Sequence, residues 1–197
     1  MKLTYQFIKQ KYIAKGYKFY EGKKYNANLF GIRNNDLSIV NKFNDIIGVA
    51  YQDEFMNEIC LPFAGTTKPG LTWLGDKTGN PKGTFILASG QHPRCWRIGE
   101  HNISKPTKYP AFVQSASNVF KGYRDNDKDG KFDLTGPLLT DVTGLNGHRA
   151  GINDTFSVGP YSAACQVVQD DKEFEIWLSV GKRSAELYGN LFSYTLF

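Results

Sequence analysis

Turn-forming residues punctuate this chain so often that long helices have little room. Asn34-Asn35-Asp36, Lys68-Pro69-Gly70, Gly79-Asn80-Pro81 and Asp129-Gly130 are turn signals. The stretches between them are short and rich in Val, Ile, Phe, Tyr and Thr. Residues 83–88, 111–113, 118–123, 164–168 and 174–180 have the length and composition of strands. Twenty glycines and eight prolines in 197 residues suit many short strands better than helices. The expected fold class is mainly β, a sandwich or barrel with one or two short helices. Leu3, Phe7, Ile8 and Tyr12 recur at helical spacing and predict a helix over 3–14, ended by Gly16. A second helix is expected over 36–45, where Leu37, Val40 and Asn44 lie on nearby faces.

Composition narrows the class further. With 41% hydrophobic and 22% charged residues, the chain can bury a core and is neither disordered nor fibrous. Its length suits one domain over residues 1–197, with a helical or hairpin extension over about 1–30. No apolar run approaches the roughly 18 residues of a membrane span. A net charge of +5 favours an anionic partner surface. Three cysteines, Cys60, Cys95 and Cys165, cannot all pair, so at least one thiol is free. The first ten residues lack the apolar stretch of a secretory signal. The expectation is therefore synthesis in the cytoplasm. Over residues 5–25, aromatics alternate with lysines, which fits either a platform for nucleic acid or glycan, or a core face with solvated lysines. Nucleic acid is not favoured, since no known nucleic-acid-binding motif accompanies the segment.

The chemistry-bearing stretch is Gly147-His148-Arg149-Ala150-Gly151, followed by Val158-Gly159-Pro160-Tyr161-Ser162-Ala163-Ala164-Cys165. His148 and Cys165 are 17 residues apart, joined by a polar loop with Gly and Pro. A thiol attacks as thiolate, so it needs an imidazole close by. Two adjacent strands would bring the pair together, with small residues before Cys165 letting a carbonyl approach backbone N–H groups.

This order resembles the signature of the L,D-transpeptidase (YkuD-type) catalytic domain, in which a His precedes Ser-x-Gly-Cys by about 14–17 residues. Ser162-Ala163-Ala164-Cys165 takes the place of Ser-x-Gly-Cys, and His148 that of the family's His. Thr66-Thr67-Lys68-Pro69-Gly70 and Gly83-Thr84-Phe85 look like a second, weaker match upstream. Ala164 replaces the Gly before the cysteine, Val167 the Arg two residues after it, and Arg149 the Gly after the His. The resemblance implies a β-sandwich or barrel and a thioester acyl-enzyme on peptidoglycan stem peptides. Cys165 would be the nucleophile and His148 the base, oriented by a backbone carbonyl. Ser162 would shape the loop or polarise His148, Ala164 would tighten the oxyanion hole, and Arg149, Gly151 and His101 would line the substrate cleft. Hydrolysis is expected before cross-linking or exchange, in the manner of a phage lysis protein or a wall-targeting toxin acting at the cell wall after release or delivery. A non-catalytic, calcium-stabilised wall-binding module on the same fold is the alternative.

Two metal patterns remain. Asp125, Asp127, Asp129 and Asp133 stand at positions 1, 3, 5 and 9 of an EF-hand-type loop, with Gly130 at position 6. Position 12 is Gly136, where a bidentate Glu belongs. A structural calcium ion or a plain hairpin turn both fit. His92, Cys95, His101 and His148 offer a weaker zinc set.

Overall fold

The computed structural model describes residues 2–76, 80–102, 104–152 and 155–197. Among these, eight strands close into a barrel in the order β1-β10-β5-β6-β8-β9-β3-β2. They are β1 (Asn28–Ile32), β2 (Asp45–Gln52), β3 (Glu58–Thr66), β5 (Gly90–His101), β6 (Tyr109–Gln114), β8 (Gly147–Arg149), β9 (Gln166–Val168) and β10 (Phe192–Leu196). A separate two-stranded sheet pairs β4 (Phe85–Leu87) with β7 (Gly122–Arg124). Closure removes the free edges that a sheet of short strands would otherwise expose. The expectation of a mainly β fold with few helices holds.

The barrel interior is built from alternating inward residues, among them Leu29, Val49, Trp96, Phe112 and Tyr194, all essentially inaccessible. Trp96 sits at its centre, touching the rings of Phe112, Phe120, Trp177 and Tyr194 and donating its indole N–H to Leu145 O at 2.9 Å. That bond lets a buried indole avoid an unpaired donor.

Helix α1 (Tyr5–Ala14) starts where Thr4 caps Phe7 N. It lays Tyr5, Ile8 and Tyr12 on a second cluster with Phe19, Phe30 and Phe197. The aromatics of residues 5–25 are thus buried or half-buried, while none of the intervening lysines is buried. Core packing, rather than an open aromatic platform, accounts for the alternation.

Two expected elements differ. Residues 174–180 are not a strand; they lie inside α3 (Asp171–Tyr188). Asp170 caps Glu173 N, and Phe174, Trp177, Leu178, Gly181 and Ser184 repeat at helical spacing on one buried face. That face packs against β2, β5, β8 and β9. Residues 36–45 form no helix, because short polar side chains capture the backbone first. Asn34 Oδ1 accepts from Asp36 N, Asp36 Oδ1 accepts from Ser38 N, and Asn41 adopts a left-handed backbone at φ 60°. Leu37 and Val40 still turn inward, onto Leu74, Ile86 and Phe132. Of the expected strand over 118–123, only residues 122–123 are extended, within β7. The short helix α2 (Leu71–Leu74) follows the Lys68-Pro69-Gly70 turn. No helix among the described residues is long and apolar enough to cross a membrane.

Candidate active site

Strands β8 and β9 run parallel and adjacent, with Gly147 opposite Gln166, His148 opposite Val167 and Arg149 opposite Val168. Side chains alternate between faces along a strand. Ala164 and Val168 join the interior cluster, and Gln166 accepts from Tyr194 Oη at 3.0 Å inside it. Val167 therefore faces away from that cluster, and Cys165 lies one residue before β9. Gly147 also lies on the inner side, where an added Cβ would stand 2.8 Å from the Trp177 ring, so glycine is required there. Its neighbour His148 consequently faces away from that cluster, although it is itself buried.

The imidazole is held from three sides. His148 Nδ1 lies 2.6 Å from Arg149 O. A carbonyl only accepts, so the neutral ring carries its proton on Nδ1 and its lone pair on Nε2. The Tyr109 hydroxyl donates to the same carbonyl at 3.3 Å. The His101 ring stacks on His148 with centroids 4.1 Å apart and planes 17° from parallel. Asn146 Nδ2 donates to His101 Nδ1 at 3.1 Å, which fixes that ring too. Arg149 lays its guanidinium over Tyr109 at 4.3 Å.

Cys165 is half-buried. Its thiol donates to Gly144 O and accepts from Asn146 N, each at 3.5 Å. Among the described residues its hydrogen bonds go to these groups rather than to His148. Ser162 is fully buried and donates to Cys165 O at 2.8 Å, so it shapes the loop and does not bond the imidazole. Ala164 keeps an ordinary negative-φ backbone, so an alanine there costs no backbone strain. Gly151 permits close packing, since an added Cβ would approach Tyr161 Oη to 2.7 Å.

Burial sets the protonation states. It pushes His148 down to about 3, helped by the His101 ring. It also lowers His101, with Lys105 and Arg149 adding to the effect. The Cys165 thiol is pushed up to about 11, partly offset by the Asn146 N–H, and Tyr109 rises to about 12. At neutral pH the resting pair is a neutral imidazole and a protonated thiol, so proton transfer would accompany attack rather than precede it.

Two grooves meet at His101. One, of about 590 Å³, is lined by Lys105, Lys108, Tyr109, His148, Arg149 and Gly151 among others. The other, of about 550 Å³, is lined by Arg97, Glu100, Gly144 and Asn146 among others. No known protein family, curated protein or solved structure matches the chain.

Asn146 and Tyr109 belong to this site although sequence reasoning passed over them. Asn146 stands two residues before His148, hence on the same strand face, a signal the spacing contained. Tyr109 lies 39 residues from His148, and nothing local in the sequence marks it.

The Thr66–Gly70 segment meets the same loop from below. Gly70 N donates to Ser162 O at 2.8 Å, and Trp73 Nε1 donates to Pro160 O at 3.0 Å. Val167, standing where the family has Arg, is fully buried and cannot hold a substrate. Of the acidic loop, Asp125, Asp127 and Asp133 gather together, but Asp129 does not join them. Lys131 holds Asp129 at 2.8 Å instead. The zinc set is not assembled among the described residues: Cys95 is sealed in the core, and His92 bonds Ala88 O at 3.1 Å.

Proposed function

We propose that the protein is a cysteine-dependent hydrolase of peptidoglycan stem peptides, resembling the L,D-transpeptidase catalytic domain in its site. The observation that carries this reading is the pairing of β8 with β9, which sets His148 beside the strand that follows Cys165, with Nδ1 tied to Arg149 O and Nε2 left as the base. In the first step Cys165 Sγ bonds to the peptide carbonyl carbon while His148 Nε2 takes the thiol proton. Gln166 N–H is held by Asn146 O at 2.9 Å and is no oxyanion donor, so the N–H groups of Ala164 and Cys165 would have to serve in that role. The C–N bond then breaks, the amine leaves with the proton from His148, and a thioester remains. Water, deprotonated by His148, opens the thioester and restores the thiol.

Substrate charge fits the larger groove. Lys105, Lys108 and Arg149 line it, suited to the carboxylates of a stem peptide. Arg149, stacked on Tyr109, supplies the positive charge that Val167 does not.

The test uses purified sacculi with wild-type protein, Cys165→Ala and His148→Ala. Wild type should release stem-peptide fragments, and each variant should lose at least 10³-fold, as expected when a nucleophile or its base is removed. Full release by Cys165→Ala would overturn the proposal.

A further inference from the structure

The loop from Asp125 to Asp133, remote in function from the cysteine site, contains a buried anion without a partner. The Asp125 side chain is fully inaccessible, and neither of its oxygens has a hydrogen-bond donor among the described residues. The adjacent cation is occupied elsewhere: Arg124 bonds Asp141 Oδ1 at 3.1 Å and Gly83 O at 3.0 Å. A buried carboxylate is normally paired, hydrogen-bonded or bound to a metal. Asp125 instead points at two more carboxylates. One oxygen each from Asp125, Asp127 and Asp133 lie within 4.8 Å of one another. Oxygens bound to one calcium ion at 2.3–2.6 Å stand up to about 5 Å apart, so the three can share an ion.

We propose that Asp125, Asp127 and Asp133 form a calcium-binding site. Asp125 closes it from the protein side, while exposed Asp127 and half-buried Asp133 leave room for water ligands. Three carboxylates from one short loop suit calcium, which takes six to eight oxygens in irregular geometry. Magnesium holds its waters and usually takes only one or two carboxylates. Zinc prefers nitrogen and sulfur donors, which the loop lacks. Asp129 is outside the set because Lys131 neutralises it. The bound ion would fasten the chain leaving β7, whose Asp125 N already donates to Thr84 O at 3.0 Å.

Calorimetry and thermal melting of chelator-treated protein with calcium chloride or magnesium chloride test this directly. Calcium should bind one ion per chain and raise the melting temperature, with magnesium at least tenfold weaker. Asp127→Asn, at an exposed position that does not threaten folding, should weaken calcium at least tenfold. Asp129→Asn should leave affinity within twofold. Absence of both heat and a melting shift in the wild type, unchanged affinity in Asp127→Asn, or tighter magnesium than calcium would each overturn the proposal.

Discussion

Two buried polar clusters in this protein are built on opposite principles. Below the barrel, Asp45 accepts from Thr67 N at 2.7 Å, Thr67 Oγ1 at 2.8 Å and Asn34 N at 2.8 Å. Lys68 Nζ lies 3.2 Å from its Oδ1, and Arg33 reaches Thr67 Oγ1, Thr67 O and Leu87 O. Charge meets counter-charge there, and the knot holds Gly70 under the Ser162 loop. At the cysteine site the titratable groups have no counter-charge, and burial drives imidazole and thiol towards their neutral forms. There the thiol and the Nδ1–H meet only neutral carbonyls, Gly144 O and Arg149 O.

The contrast breaks most sharply at Cys165. Cys165→Ala should remove activity at least 10³-fold yet move the melting temperature by only about 2 °C, because the side chain is half-buried and small. Alkylation of Cys165, followed by peptide mapping to separate it from Cys60, comes next. With the thiol near 11, its rate should climb about tenfold per pH unit from 7 to 10. A plateau by pH 8 would mean a preformed thiolate.

Asp45→Ala inverts the pattern. Leaving Lys68 and Arg33 buried without their anion should cost about 3–5 kcal/mol, read as a melting temperature roughly 6–20 °C lower. Acid should act through the buried histidines. Burial lowers His92 to about 4 and His148 to about 3, against 6.5 when exposed. Their contribution is therefore full above pH 6.5 and lost as pH falls towards 3, on the order of 2 kcal/mol each by pH 4.5. Melting curves across that range should show the loss, and His92→Phe should flatten part of it. The smallest effect is Ser162→Ala, which leaves Cys165 O without its buried donor and should cost about 1–3 kcal/mol in denaturant titration. If it lowers turnover too, the loop is also a positioning device.

How far these regions could be read in advance follows from how local their signals are. The neighbourhood of His148 and Cys165 in the fold was legible because a polar loop of modest length separates them, and the chain on either side of it pairs as β8 and β9. The carbonyl that orients His148 was expected, and Arg149 O occupies that role. Asn146 and Tyr109 were not legible, since their roles depend on neighbours in β5 and β6 that only the closed barrel brings near. Helix α3 was missed because residues 174–180, taken alone, have strand composition. The evidence against a strand lies outside that window, in the Asp170 cap and in the repeat that continues to Gly181 and Ser184. Asp129 fits the loop spacing by residue type, but a neighbouring lysine two positions on decides where its carboxylate goes.

Intact-mass spectrometry of the protein, quenched soon after mixing with a defined stem-peptide muropeptide, addresses the central claim most directly. The account predicts an acyl adduct that maps to Cys165 in the wild type and is missing from Cys165→Ala. Product formation by wild-type protein with no adduct at any quench time, or the same adduct on Cys165→Ala, would contradict it.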